Sequence, residues 1–216
     1  RIDGMVQRTE QRPLVRGKLS RKDALLCFLF LSSIGFLLAL LTNQRTILLS
    51  FGAIALVVTY PFMKRFTNLP QLVLGISYSW GVLMAFTAQT NEIPQVAYLL
   101  FIANCLWTIA YDTQYAMVDR EFDIQIGVKS TAILFGDADK LMIGVLQFLF
   151  VMAMWLAGQQ LEMTNWYYFS LLLASLLLIY QQFLIRDRLP GPCFRAFLNN
   201  NWVGTIIFVG VLINYL

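Results

Sequence analysis

Three aspartates in one short stretch are the strongest chemical signal in this chain. Residues 111–123 read Tyr-Asp-Thr-Gln-Tyr-Ala-Met-Val-Asp-Arg-Glu-Phe-Asp. Asp112, Asp119 and Asp123 are spaced by seven and four, so on a helix they fall within an arc of about 40°. Tyr115 sits close to the same stripe. Carboxylates so arranged repel one another unless a cation or protons intervene. The donors are hard oxygens, the chain has no histidine, and no thiolate lies nearby. That chemistry suits Mg²⁺ better than Zn²⁺. Mg²⁺ is commonly held by one or two carboxylates plus phosphate oxygens, so the stripe points to a diphosphate substrate. The competing reading is a solvated helix end, with Arg120 and Glu121 pointing elsewhere.

Basic residues add to the diphosphate reading. Arg8, Arg12, Lys64, Arg65 and Lys129 lie between apolar stretches, where Arg clamps phosphate or carboxylate oxygens in a bidentate way. Each, taken singly, also serves as a topology-setting charge. Lys64-Arg65 is the sharpest case, because it follows Tyr-Pro-Phe-Met with almost no other polar residue nearby. Lys129-Ser130-Thr131 follows Gly127 and is expected to reach phosphate, although it lacks P-loop glycine spacing.

These residues must be positioned by membrane helices. The 216 residues are 58% hydrophobic and 13% charged, against about 25% charged in a soluble domain. Seven apolar segments are each about long enough to cross a bilayer, near 23–42, 46–62, 70–88, 94–117, 140–157, 165–185 and 199–216. The second is expected to end at Tyr60-Pro61, and Pro70 to open the third. Asn91-Glu92-Ile93-Pro94 and Gly191-Pro192 mark turns. An all-α polytopic transmembrane bundle follows, forming one membrane domain over 1–216. Residues 1–22 are a cytoplasmic segment and 23–216 hold the seven spans.

Charge orients the bundle. Residues 1–22, 63–69, 118–139 (with Lys140 at the boundary) and 186–198 hold every Lys and Arg except Arg45. The positive-inside rule places them in the cytoplasm. The expected setting is a multi-pass protein of a bacterial inner membrane with its active site facing the cytoplasm. The net charge of +4 and pI of 9.1 then follow from topology and imply no nucleic-acid partner. Cys27, Cys105 and Cys193 are far apart and read as packing residues. The first residue is Arg, not Met, and an upstream portion is expected.

Arg8-Thr9, Arg12-Pro13-Leu14, the 60–65 run Tyr-Pro-Phe-Met-Lys-Arg, and the 112–123 segment resemble the UbiA-type intramembrane prenyltransferases. Gly-Val-Lys-Ser-Thr-Ala-Ile-Leu-Phe-Gly at 127–136 and Asn199-Asn200-Asn201 agree. The resemblance runs over essentially the whole chain and is strongest to members that prenylate 4-hydroxybenzoate for ubiquinone. It implies a nine-helix fold, of which this chain holds about seven, with two acidic motifs. The second motif matches at Tyr115, Asp119 and Asp123. Of the first only the last acid remains, as Asp3. The earlier acids and two helices are expected upstream of residue 1, and the 216 residues alone are expected to be inactive.

The resemblance also implies roles. Mg²⁺ is bound by Asp3, Asp119 and Asp123. Arg8, Arg12, Lys64 and Lys129 bind the diphosphate of a polyprenyl diphosphate. Arg65 takes the carboxylate of 4-hydroxybenzoate, and Asp112 and Tyr115 support the site. Asp119, Asp123 and Arg65 are the expected catalytic set, and the lipid bilayer is itself a partner. Another aromatic acceptor remains an alternative. A cation transporter would place its acids nearer the midplane. A phosphotransferase acting on nucleotide-linked alcohols needs Asp-Gly-x-x-Ala-Arg, whereas Asp3-Gly4 continues Met-Val-Gln-Arg.

Overall fold

A computed structural model describes residues 12–216. Among them the regular structure is helical. Helix α1 (Arg21–Leu40) starts at a capping box, in which the Asp23 N–H donates to Ser20 Oγ at 3.2 Å and the Ser20 N–H donates to Asp23 Oδ2 at 3.0 Å. Such reciprocal bonds satisfy donors that a helix start leaves unpaired. Helix α2 (Gln44–Phe66) is capped by Asn43, and α3 (Pro70–Thr90) has proline in its first turn, where the missing N–H costs nothing. Helix α4 (Gln95–Ile126) ends at Gly127, whose φ of 70° closes the last turn. A short α5 (Thr131–Phe135) and a 3₁₀ turn (Gly136–Ala138) lead into α6 (Asp139–Gln160). Then come α7 (Asn165–Ile185) and α8 (Pro190–Asn214).

Seven spans long and apolar enough to cross a membrane result, with α5 and α6 counted together. Helix α4 is the hub, packing against α3, α5, α6 and α8, while α7 packs on α8 and α6, and α2 on α3. Helix α1 touches α2 and buries only Ala39. Small residues permit the closest approaches, as expected where packing rather than water drives helix association. A Cβ on Gly75 of α3 would stand 2.9 Å from Cys105 Sγ and 3.0 Å from the Cys105 carbonyl oxygen of α4.

Polar side chains join the helices inside the bundle. Gln114 Nε2 of α4 and Gln147 Nε2 of α6 both donate to Gln181 Oε1 of α7, at 3.0 and 2.9 Å. Asn200 Nδ2 of α8 donates to Gln114 Oε1 at 3.1 Å, and Trp107 Nε1 donates to Asn200 Oδ1 at 2.8 Å. Gln181 Nε2 donates to Asn199 Oδ1 at 3.0 Å. With no water available, amides that satisfy one another fix which helices meet and in what register.

Several expected boundaries move. Helix α2 runs through Pro61 to Phe66, so Lys64 and Arg65 occupy a last helical turn rather than a loop. Membrane helices tolerate such a proline, and cations suit the negative end of the helix dipole. Gly191 and Pro192 lie in the first turn of α8, which starts at Pro190 rather than 199. Residues 118–126 are helix, not loop. Hydropathy marks where apolar side chains stop. Backbone hydrogen bonding continues past that point, because helices extend into the interface.

Candidate active site

The expected stripe lies on the last part of α4. At 32 residues and about 1.5 Å per residue, this helix is about 48 Å long, against a hydrocarbon core of about 30 Å. Its final turns therefore reach past the core and carry Asp119 and Asp123 to the charged end of the bundle. Asp123 is buried, while Asp112 and Asp119 are partly buried. Gly127 then reverses the chain. The Val128 N–H donates to the Asp123 carbonyl at 2.9 Å, and the Lys129 N–H donates to the Lys64 carbonyl at 3.1 Å. The left-handed turn thus lays residues 128–130 across the end of α2.

That turn assembles a second group around Asp112. The Gln71 side chain hydrogen-bonds Asp112, and the Lys64 charge is in electrostatic range. Gln71 Oε1 also accepts from the Thr131 N–H at 3.0 Å. One buried amide therefore ties α3 to α4 and α5. Lys129 Nζ donates to the Phe66 carbonyl at 3.4 Å, which keeps it at the same edge. Tyr60, Tyr78, Tyr111 and Tyr115 gather on this side, since Asp112 and the other three tyrosines are all electrostatic neighbours of Tyr60. Tyr115 packs on Phe197 with ring centroids 4.9 Å apart, and Phe194 stacks on Phe197. An aromatic wall thus flanks the acids, and ring faces attract cationic groups.

Lys64, Asp112, Tyr115, Lys129 and the α4 acids therefore occupy one end of the bundle. Arg65 is adjacent but turned outward and exposed. Arg12 is exposed in the turn preceding α1. Asp3 and Arg8 lie outside the described residues. Ser130 and Thr131 are not available to phosphate. Ser130 Oγ caps α5, accepting from the Ile133 N–H at 3.3 Å. Thr131 Oγ1 shares a 2.6 Å hydrogen bond with Thr113 Oγ1, and both residues are fully buried. These hydroxyls serve the turn that brings Lys129 to α2.

The donor set fits Mg²⁺. Asp119 and Asp123 are one helical turn apart on one face and offer hard oxygens. Among the described residues no group of three or more His, Cys, Asp or Glu side chains forms a cage. Two carboxylates that leave coordination positions for phosphate oxygens and water suit Mg²⁺ better than a closed structural site does.

Sequence reading missed Gln71 and a charged cluster behind the stripe. Asp139, fully buried at the start of α6, pairs with Arg120 Nη1 of α4 at 3.1 Å and Arg188 Nη2 at 2.9 Å. Arg188 Nη2 also donates to the Asp137 carbonyl at 2.8 Å. Hydrogen bonding to Asp139 raises the proton affinity of the Arg188 guanidinium above its ordinary value. Arg188 holds a φ of 54°, a left-handed conformation costing a non-glycine residue roughly 1–2 kcal/mol. A cavity of about 240 Å³ opens beside this cluster, lined by Met117, Arg120, Glu121, Ile124, Arg188 and neighbours. Met117, Glu121 and Ile124 lie roughly 120–180° around α4 from Asp112, so the cavity is separate from the acidic face. The available signal was the Asp137-Ala138-Asp139-Lys140 run between Phe135-Gly136 and an apolar segment.

Seven membrane-length helices, with carboxylates and lysines gathered at one end, define a polytopic helical membrane protein. The model of the UbiA prenyltransferase family matches residues 1–204, and the chain belongs to that family. A 4-hydroxybenzoate octaprenyltransferase of Pseudomonas fluorescens is 54% identical over 215 residues, covering 100% of this chain and 73% of the relative. The enzyme so named from Aeromonas hydrophila is 56% identical, covering 100% and 75%. The apo structure of a UbiA homologue from Aeropyrum pernix superposes with a TM-score of 0.87 at 28% identity, over 100% of this chain and 80% of that one. A digeranylgeranylglyceryl phosphate synthase shares the fold, with a TM-score of 0.73 at 18% identity.

Proposed function

We propose that the protein transfers a polyprenyl group from polyprenyl diphosphate to 4-hydroxybenzoate, at the ring carbon ortho to the hydroxyl. The step belongs to ubiquinone synthesis and takes place at the cytoplasmic face of a bacterial inner membrane. Similarity above 50% to enzymes named 4-hydroxybenzoate octaprenyltransferase supports the substrates. The observation that carries the reading is the Asp119–Asp123 pair on the overhanging end of α4, beside Lys64 and Lys129.

Asp119 and Asp123, with Asp3, would hold Mg²⁺, which when bound neutralises a diphosphate leaving group. Lys64, Lys129, Arg8 and Arg12 bind the diphosphate oxygens. Arg65 binds the aromatic carboxylate, and Asp112 supports the site beside Lys64. The allylic C–O bond breaks and its electron pair leaves with the diphosphate. The ring carbon ortho to the phenol oxygen forms the new C–C bond, and the ring proton at that carbon departs. Tyr115, Phe194 and Phe197 offer ring faces to the allylic cation and exclude water. The apolar helices take up the prenyl tail.

The test is an assay of membranes holding the full-length protein with radiolabelled octaprenyl diphosphate and 4-hydroxybenzoate. A lipid-soluble labelled product should appear and require both Mg²⁺ and the aromatic acid. Its absence with both substrates and metal supplied sinks the proposal.

A further inference from the structure

The proposed chemistry leaves the Asp139 cluster without a task. This carboxylate has no exposed surface. It accepts from Arg120 Nη1 of α4 at 3.1 Å and from the Lys140 N–H of its own helix at 2.7 Å. From the α7–α8 turn it accepts Arg188 Nε at 2.9 Å and Arg188 Nη2 at 2.9 Å. A second tie runs alongside, with Lys140 Nζ donating to the Arg186 carbonyl at 2.8 Å. Three parts of the molecule therefore meet on one side chain.

The position of Arg120 makes the contact consequential. It follows Asp119 directly and precedes Asp123 by three residues, so it projects about 100° around α4 from Asp119. Anchoring Arg120 on α6 fixes the rotation of this part of the helix. Rotation of a single helix end would re-aim both carboxylates together.

We propose that Asp139 is a positioning residue for the acidic stripe. Through Arg120 it sets the rotation of the last turns of α4, and thereby the aim of Asp119 and Asp123. Arg188 supplies a second positive charge that pairs with the buried Asp139 carboxylate at 2.9 Å. The consequence for metal affinity rests on the reading of Asp119 and Asp123 as Mg²⁺ ligands. The consequence for helix position does not. Groups that orient ligands without touching the ion typically change metal affinity 10–100-fold when removed.

Two measurements on Asp139→Asn in nanodiscs separate these. In the first, spin labels at Phe66→Cys and Ile124→Cys, in a Cys27→Ser background, report the distance between the ends of α2 and α4. Both label positions are exposed. One narrow distance distribution is expected without the substitution, and a shifted or broadened one with it. In the second, Mn²⁺ is titrated with inorganic pyrophosphate and followed by electron paramagnetic resonance. The midpoint should rise about tenfold or more in Asp139→Asn. Arg186→Ala, which removes an exposed pair with Asp187, should leave both readouts unchanged. A merely structural tie would lower the melting temperature and leave the midpoint in place. A folded Asp139→Asn protein with an unchanged distance distribution overturns the proposal. If that variant does not fold, Arg120→Gln takes its place under the same criteria. If the unsubstituted protein takes up no Mn²⁺, the metal reading of the stripe fails, and the distance measurement alone decides the role of Asp139.

Discussion

Lys64 and Arg65 are neighbours in sequence, yet their surroundings differ. The first is half-buried and in electrostatic range of Asp112, and the second is exposed at the rim. Successive helical residues point about 100° apart, so one basic dipeptide serves two directions. The proposed division of labour predicts a split in kinetics. Arg65→Ala should raise KM for 4-hydroxybenzoate about 10–100-fold, the worth of a charge-assisted hydrogen bond of about 1.5–3 kcal/mol, with little change in KM for the polyprenyl diphosphate. Lys64→Ala should do the reverse. Steady-state measurements with each substrate varied in turn check this, and equal rises in both constants for Arg65→Ala reject its assignment. Ser130 and Thr131 are a counterexample at the same scale. Their sequence neighbourhood suggested phosphate binding, but the fold turns both hydroxyls inward to cap α5 and to pair with Thr113. A hydroxyl donates or accepts wherever it is placed, so its type alone does not reveal its partner.

Helix α4 is the element on which the site depends, and its close contact with α3 sets the distance between the Asp112 side and Gln71. Gly75 lies one turn beyond Gln71 on α3, against the Cys105 backbone. Backbone atoms cannot move aside as a flexible side chain can. Gly75→Ala should therefore force α3 away from α4 and destabilise the protein by about 1–3 kcal/mol, the usual cost of overpacking. Melting in detergent should show a lowered midpoint, and activity should fall as Gln71 withdraws from Thr131 and Asp112. An unchanged midpoint would show that α3 and α4 have slack which the contact distances deny. The Gln114–Gln147–Gln181–Asn200 network acts at the same scale. Gln147 stands alone in an apolar run, whereas Gln114 follows Asp112-Thr113, Gln181 precedes Gln182 and Asn200 lies within Asn199-Asn200-Asn201; which of these amides meet depends on the rotation of four helices.

For the molecule as a whole, asymmetry of charge governs. One end carries Lys64, Arg65, Arg120, Lys129, Lys140, Arg186 and Arg188. The other has Arg45, whose Nη1 donates to the Asn91 carbonyl at 2.7 Å and so helps close the α3–α4 turn. The proposed orientation predicts a labelling pattern in a Cys27→Ser background. Glu92→Cys should react with a membrane-impermeant maleimide in cells whose outer membrane has been opened. Asp137→Cys should react only once the inner membrane is also breached. Reaction of Asp137→Cys from outside would invert the topology and place the acidic stripe on the wrong side for a cytoplasmic aromatic acid.

The sequence by itself determined that the chain is a helical membrane bundle, because a low-dielectric solvent leaves few ways to satisfy a backbone. It also determined that Asp112, Asp119 and Asp123 share a stripe, because helical periodicity is local, and that the basic loops lie on one side. The helix ends at Phe66, Ile126 and Pro190 were not legible, because side-chain hydropathy does not report where backbone hydrogen bonding stops. Only the tertiary structure decided that half-buried Lys64 lies in electrostatic range of Asp112 while Arg65 is exposed, that Gln71 links α3 to the Thr131 turn, and that Asp139 gathers Arg120 and Arg188 behind the stripe. Those pairings join residues from 19 to 60 positions apart, and they arise from how the helices rotate and cross, which no local pattern encodes.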